Sequence, residues 1–129
     1  MTLNLAENVV SELSPSSEPN PIWPGAPRYA PIKAFPEYGY VTGQNPHPTR
    51  NKEGHSFGAK RTVQRRLTLD NWNEQEEYLW GVDLYNQGFI WESAYVWMGF
   101  FELSEKDSFE ANFLQGLISN IVKVIYRVP

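Results

Sequence analysis

The chain has 129 residues, which suits one small domain with a tail rather than two full domains. A net charge of −4 argues against a globally basic nucleic-acid binder. The sequence contains no cysteine, which excludes disulfides and cysteine-based zinc sites and is consistent with a reducing compartment. No apolar run approaches the roughly 20 residues that span a bilayer, and the N-terminal residues lack the pattern of a secretory signal. We therefore expect a cytoplasmic protein without a membrane partner.

Composition divides the chain into three segments. Nine of the ten prolines lie between Pro15 and Pro48. Because proline removes an amide donor and restricts the residue before it, residues 1–30 are predicted to be a disordered or loosely attached tail. Residues 31–68 are predicted to form an irregular arm that packs on the helices, and residues 69–129 are predicted to form the helical core.

The core pattern predicts an all-α fold, a small antiparallel bundle of about three helices. The first helix is expected to start near Asp70, whose carboxylate suits the N-cap, and to stop at Gly88. The second helix is expected over about residues 90–103. It is apolar on nearly every side, which places it at the centre of the bundle.

The third helix is predicted to open at Asp107, with Glu110 three residues later as in a capping box. Glycine inside a helix costs up to about 1 kcal/mol relative to alanine, so a glycine there suggests close approach of a neighbouring helix. Gly99 in the second helix and Gly116 in the third are therefore expected to mark a tight crossing.

Five polar residues form the candidate site. Asp83 and Asn86 share one face of the first helix, and Glu92 lies in the first turn of the second. A cap on the second helix, or a hydrogen bond across the Gly88 turn, is the commoner explanation for the first two, and the helix dipole alone explains Glu92. His47 and His55 lie in the arm, where they are candidates for metal ligands or bases, or for hydrogen-bonded imidazoles that pack the loop. They complete a site with the carboxylates only if the arm folds over the helices.

A basic segment lies in the arm. Six of the eleven basic residues fall in positions 50–66: Arg50, Lys52, Lys60, Arg61, Arg65 and Arg66. Anion or RNA binding through this segment is one hypothesis. Only Phe57 is interleaved with these charges, so the pattern lacks a stacking platform, and a solvated charged surface is the commoner outcome. Nucleic acid is therefore not the expected partner.

Two motifs resemble those of the domain-of-unknown-function family 309. Residues 81–92 read Gly-Val-Asp-Leu-Tyr-Asn-Gln-Gly-Phe-Ile-Trp-Glu, similar to the family's Gly-hydrophobic-Asp-Leu-Phe-Asn-x-Gly-x-aromatic-aromatic-Glu. Residues 113–118 resemble its second marker, Phe-Leu-Gln-Gly-Leu-Ile. Residues 46–50 and 54–56 are similar to an arm of some long bacterial members. The resemblance covers roughly residues 35–123 and implies a bacterial helical-bundle protein.

The departures from the family pattern concern its polar centre. The family's His-Glu pair falls on Ala94 and Tyr95, and a later Glu falls on Met98. Members have been labelled predicted metal-dependent hydrolases, and a metal site needs three or four converging ligands. The resemblance therefore implies a degenerate, non-catalytic binding or scaffold domain with no cofactor and an open ligand identity.

Two further hypotheses follow from the same departures. The first is a metal-dependent hydrolase-like protein that holds a divalent metal in a residual His/Asp/Glu site. The second is a homo-oligomer, because relatives generally continue beyond the position of Pro129 into further helices. Without them, the apolar faces of the second and third helices are left for another copy of the chain.

Overall fold

The computed structural model describes residues 19–60 and 65–125, except for the side chains of residues 122, 124 and 125. Three α-helices form the core: α1 (Glu76–Asn86), α2 (Ile90–Leu103) and α3 (Phe109–Ile125). A 3-10 turn, Trp72–Glu74, precedes them, and the described ranges contain no strand. Helix α2 lies between α1 and α3 and packs closely on both. The all-α prediction is confirmed, and the bounds of α2 agree with the apolar run that predicted it.

The start of α1 differs from the prediction, because the helix begins at Glu76 and not near Asp70. The residues before it form a turn, in which the Asn71 side-chain oxygen accepts a hydrogen bond from the Thr68 amide at 2.8 Å. The buried Gln75 side chain then donates to backbone carbonyls upstream. These side-chain bonds hold the backbone in a turn, and the regular helix starts only after it.

Helix α3 is capped by Ser108 rather than by Asp107, so the predicted capping box is wrong. The Ser108 hydroxyl accepts a hydrogen bond from the Ala111 amide at 3.1 Å, three residues along. Asp107 has a φ of 63°, a left-handed conformation that ends the preceding turn. Glu110, the other half of the predicted box, instead binds Arg66.

The junction between α1 and α2 confirms the predicted stop at Gly88. Gly88 has a φ of 89°, and its amide donates to the Tyr85 carbonyl at 3.0 Å. The Phe89 amide donates to the Leu84 carbonyl at 2.8 Å, which completes a Schellman motif. A Cβ at Gly88 would lie 2.0 Å from the Asn20 carbonyl oxygen, so the arm packs directly on this turn.

The core is formed by the facing sides of the three helices, and Phe100 of α2 is fully buried at its centre. The close approach predicted at Gly116 is absent, since a Cβ there would meet nothing within 4 Å. Gly99 is buried, and a close approach is found at Gly81, where a Cβ would lie 2.4 Å from the indole nitrogen of Trp97. Gly81 therefore lets α1 and α2 pack around a large aromatic side chain.

Residues 19–30, which the sequence assigned to the tail, are joined to α1. The Trp23 amide donates to the Asn86 carbonyl at 3.0 Å, and Ala30 is buried. The arm that packs on the helices therefore begins no later than residue 19. The tail prediction for residues 1–18 lies outside the described residues. Within the described part of the chain, no helix combines the length and apolarity needed to cross a membrane.

Candidate functional site

Asp83 of α1 anchors the arm and does not cap α2. Its fully buried carboxylate accepts three hydrogen bonds: from Arg28 Nε at 2.9 Å, from the Tyr29 amide at 2.8 Å and from the Ala30 amide at 2.9 Å. The Arg28 guanidinium also donates to two arm carbonyls and lies 4.1 Å from the centre of the Phe35 ring. Each of these hydrogen bonds comes from the arm, so the Asp83 carboxylate attaches the arm to α1. Neither predicted histidine reaches it.

Glu92 and His55 form a buried pair between α2 and the arm. Glu92 Oε2 lies 2.7 Å from His55 Nε2, and each side chain is only 4% exposed. The same oxygen accepts a hydrogen bond from the Tyr40 amide at 2.9 Å. The arm therefore folds over the helices as the His/Asp/Glu hypothesis requires, but it brings one histidine to one carboxylate.

The loop that carries His55 is closed by a tight backbone contact. A Cβ at Gly54 would lie 2.2 Å from the His47 carbonyl oxygen, so only glycine fits there without movement. The Ser56 amide donates to the Pro48 carbonyl at 2.9 Å, which fixes the next residue. The Ser56 hydroxyl lies 2.8 Å from His55 Nδ1. Ser56, His55 and Glu92 therefore form one continuous hydrogen-bonded chain.

Tyr38 holds His55 from the other side. Its hydroxyl donates to the Pro46 carbonyl at 2.7 Å and accepts from the His55 amide at 3.1 Å. The Tyr38 and His55 rings pack with centroids 4.7 Å apart. The imidazole is thus fixed by backbone, ring and carboxylate contacts together.

His47 closes the preceding turn and does not join the pair. Its Nδ1 accepts hydrogen bonds from the amides of Thr49 at 3.2 Å and Arg50 at 3.1 Å. Its ring packs edge-on against Tyr40 and Trp91. Desolvation, and secondarily the Arg50 charge, lower the pKa of His47, which favours the neutral ring that these two amide donors require.

A cavity of about 250 Å³ opens beside the buried pair. The residues that matter to its chemistry are Lys33, His55, Ser56, Trp80, Glu92 and Tyr95. Two residues of this lining, Glu92 and Trp80, each have a buried polar atom, Oε1 and Nε1, without a hydrogen-bond partner in the described structure. The described residues hold one further such atom, Trp97 Nε1, whose residue does not line this cavity. Such groups are few in folded proteins, so two of them on residues of one cavity need an explanation.

An ion pair between the arm and α1 also lies at this cavity. Lys33 of the arm pairs with Glu77 of α1, and its ammonium lies 4.8 Å from the centre of the Trp80 ring. This contact holds the arm against α1, as His55 holds it against α2. The cavity therefore lies where the arm bridges the first two helices.

The positions at which the resemblance would place a His-Glu pair and a later Glu lie at or near the surface of α2. Ala94 is half-buried, Tyr95 is 36% exposed and Met98 is 43% exposed. Tyr95 stacks on Trp91, with centroids 5.1 Å apart, and lines the cavity. These substitutions place an aromatic ring at the cavity where the resemblance would place a carboxylate.

The geometry does not fit a metal centre. Among the described residues, no three His, Cys, Asp or Glu side chains come together in a group that would hold a metal ion. His55 and Glu92 are bonded to each other, whereas zinc sites take at least three protein ligands.

The described residues of the basic segment, Arg50, Lys52, Lys60, Arg65 and Arg66, are all exposed. Arg66 pairs with Glu110 and Glu105 of the helical core, at 2.6 and 2.9 Å. Lys60 also lines the cavity. Arg61 lies outside the described residues.

Sequence reasoning missed Arg28, Tyr40 and Ser56. Arg28 was assigned to the tail, and Tyr40 acts through its backbone amide, which no side-chain pattern reveals. For Ser56, the only available signal was its place directly after His55.

The chain matches no family model, no curated protein and no solved structure.

Proposed function

We propose that this chain is a small-molecule-binding helical domain of the family 309 type, with the ligand held between the arm and helices α1 and α2. The observation that carries the proposal is that two residues lining one cavity, Glu92 and Trp80, each bury a polar atom without a partner, Oε1 and Nε1. The first can only accept a hydrogen bond when ionised, and the second can only donate one. A ligand that presents both a donor and an acceptor would complete them once side-chain rotations open the two atoms to the cavity.

The energetics favour a ligand over a purely structural role for these atoms. A buried polar group without a partner costs about 1–3 kcal/mol. Two such groups on one cavity weaken the fold, a cost often tolerated where a site is pre-organised for a ligand. The cavity, at about 250 Å³, lies near the lower end of the roughly 300–1,000 Å³ typical of ligand pockets, so the ligand should be small.

Membership of family 309 is part of this proposal and is supported by the location of the motifs. Residues 81–92 span the Schellman turn between α1 and α2, and they include both Asp83, which anchors the arm, and Glu92, which faces the cavity. The motif residues thus hold the arm and the cavity in place. With Ala94 and Tyr95 at the family's His-Glu positions, we propose binding without metal chemistry.

The proposal is tested by following the indole N–H resonance of Trp80 by NMR. The full chain is titrated with acetamide, benzamide and adenine, which each present donors and acceptors. We expect at least one of them to shift the Trp80 resonance saturably, while the exposed Trp72 resonance serves as the control. A Trp80→Phe variant assigns the signal. If none of the three shifts Trp80 more than Trp72, the cavity is not a site for small ligands of this kind.

Self-association is a second candidate, favoured by one observation. Met98, Phe101 and Leu103 of α2 are each 36–45% exposed, although the helix is the most apolar of the three. Exposed apolar residues grouped on one element are typical of protein interfaces. We propose a homo-oligomer through this part of α2. Light scattering on the chain and on a Met98→Glu variant tests it: an oligomer that dissociates in the variant is expected, and a monomeric parent chain excludes it.

A further inference from the structure

We propose that Ser56 is a nucleophile that accepts an acyl group from small esters, with His55 as its base and Glu92 as the residue that orients the imidazole. This inference rests on the ligand cavity proposed above and names the substrate class for it. Ser56, His55 and Glu92 all line that cavity. It needs none of the family's His-Glu positions and no metal.

The direction of the hydrogen bonds is the one that catalysis requires. An ionised Glu92 can only accept, so His55 must donate from Nε2 across the 2.7 Å contact. In the neutral ring, Nδ1 is then the acceptor, and the Ser56 hydroxyl donates to it across 2.8 Å. A hydroxyl bonded to an imidazole that is itself oriented by a carboxylate is the arrangement of an activated nucleophile.

The ring is also held in the tautomer that this chemistry needs. The side chains of His55 and Glu92 are each 4% exposed, so water competes little for the bond between them. The Tyr40 amide donates to the same carboxylate oxygen and helps to hold it in place. A carboxylate in this position would stabilise the imidazolium as it forms.

A candidate donor for the developing negative charge is the indole of Trp80, which lines the same cavity as Ser56. Its Nε1 is buried without a hydrogen-bond partner, so a rotation of the side chain toward the cavity would bring this N–H group to the oxyanion. A volume of about 250 Å³ favours short acyl groups, such as acetyl, over long chains.

The reaction proceeds in two steps, acylation of Ser56 and hydrolysis of the acyl-serine ester. Ser56 Oγ attacks the ester carbonyl carbon while its proton moves to His55 Nδ1, and a tetrahedral oxyanion forms. The bond from carbon to the leaving oxygen then breaks, that oxygen takes the proton from His55, and an acyl-serine ester remains. Water attacks this ester with His55 again as the base, which releases the carboxylic acid and restores the Ser56 hydroxyl.

The test uses p-nitrophenyl acetate with the full chain. We expect a burst of up to one equivalent of nitrophenolate, and an acetyl group on Ser56 in the peptide mass spectrum. Ser56→Ala should abolish both, and Ser56→Cys should restore acylation, since a thiol replaces the hydroxyl as nucleophile. Glu92→Gln should slow acylation by about 10²–10⁴-fold. Ser104→Ala is the matched control, because its hydroxyl bonds only to Phe101 in an exposed turn.

The outcomes separate this inference from the proposed binding function. If acetyl is found on Lys60 or another side chain and the Ser56→Ala rate lies within about twofold of the parent, Ser56 is not the nucleophile. If acylation fails while the Trp80 resonance responds to the amide and adenine probes, the cavity binds ligands but does not react. If both experiments fail, both proposals are wrong. Unfolding curves of each variant identify any loss that arises from misfolding.

Discussion

Replacing Asp83 by asparagine tests whether the arm is held to α1 by one carboxylate. Oδ2 accepts from Arg28 Nε and the Ala30 amide, and Oδ1 accepts from the Tyr29 amide. In the best orientation of an asparagine, its oxygen takes the place of Oδ2 and its NH₂ group faces the Tyr29 amide. The Tyr29 amide then faces another donor in place of its acceptor, which costs about 1–3 kcal/mol.

The two remaining bonds of this variant also weaken. A charged acceptor makes hydrogen bonds roughly twice as strong as a neutral one. Replacing the carboxylate by a neutral amide oxygen therefore adds about 1 kcal/mol to the destabilisation. We therefore expect the free energy of unfolding to fall by about 2–4 kcal/mol, a large share of the 5–15 kcal/mol typical of a domain. Urea unfolding followed by far-UV circular dichroism measures the change.

The control and a local measurement make this test decisive. Asp70→Asn changes an exposed carboxylate and should move the unfolding free energy by less than about 0.5 kcal/mol. Hydrogen exchange at the Tyr29 and Ala30 amides should accelerate in Asp83→Asn and stay unchanged in the control. Parent-like exchange at both amides, together with a loss no larger than that of Asp70→Asn, would refute the anchoring role.

Three further predictions concern single positions. Gly88→Ala should destabilise more than Gly43→Ala in thermal unfolding. Both glycines have positive φ, costing alanine about 1–2 kcal/mol, but only Gly88 also meets a backbone oxygen, that of Asn20. Gly116→Ala should raise the stability by up to about 1 kcal/mol, because the site is an open helical position; a loss would reveal a contact on that face. The lowered pKa of His47 means that the unfolded chain binds its proton more tightly, so stability falls as the pH drops below the ordinary value of 6.5 toward the folded one. His47→Asn should flatten that part of a stability–pH curve, and an unchanged slope would contradict it.

The helices were predictable because their signals are local. The bounds of α2, Ile90–Leu103, follow from an apolar run that starts after Gly88, and the Schellman turn needs only neighbouring residues. The starts of α1 and α3 were misplaced for an equally local reason. Several residues near each start have side chains that cap equally well, and the choice of Ser108 over Asp107 depends on the turn before it.

The site was less predictable because its contacts are long-range. His55 and Glu92 were both candidates, yet their pairing across 37 positions depends on how the arm closes. That closure is set by Gly54 against residues 47 and 48 and by backbone amides such as that of Tyr40, none of which has a periodic signature. Asp83 was assigned to the same site because its partner, Arg28, lies 55 positions away in the sequence and no local pattern connects the two residues.

The geometry also changes what the substitutions in α2 imply about chemistry. The expectation of a non-catalytic domain rested on Ala94, Tyr95 and Met98, yet the latter two are more than a third exposed. The buried imidazole next to Glu92 comes instead from the arm, as His55. Helix α2 has no histidine of its own, yet its Glu92 is paired with one. The arm supplies it, because His55 lies beside Glu92 although the two are 37 positions apart in the sequence. Whether the cavity reacts is consequently decided by Ser56 and its neighbours rather than by positions 94, 95 and 98 of α2.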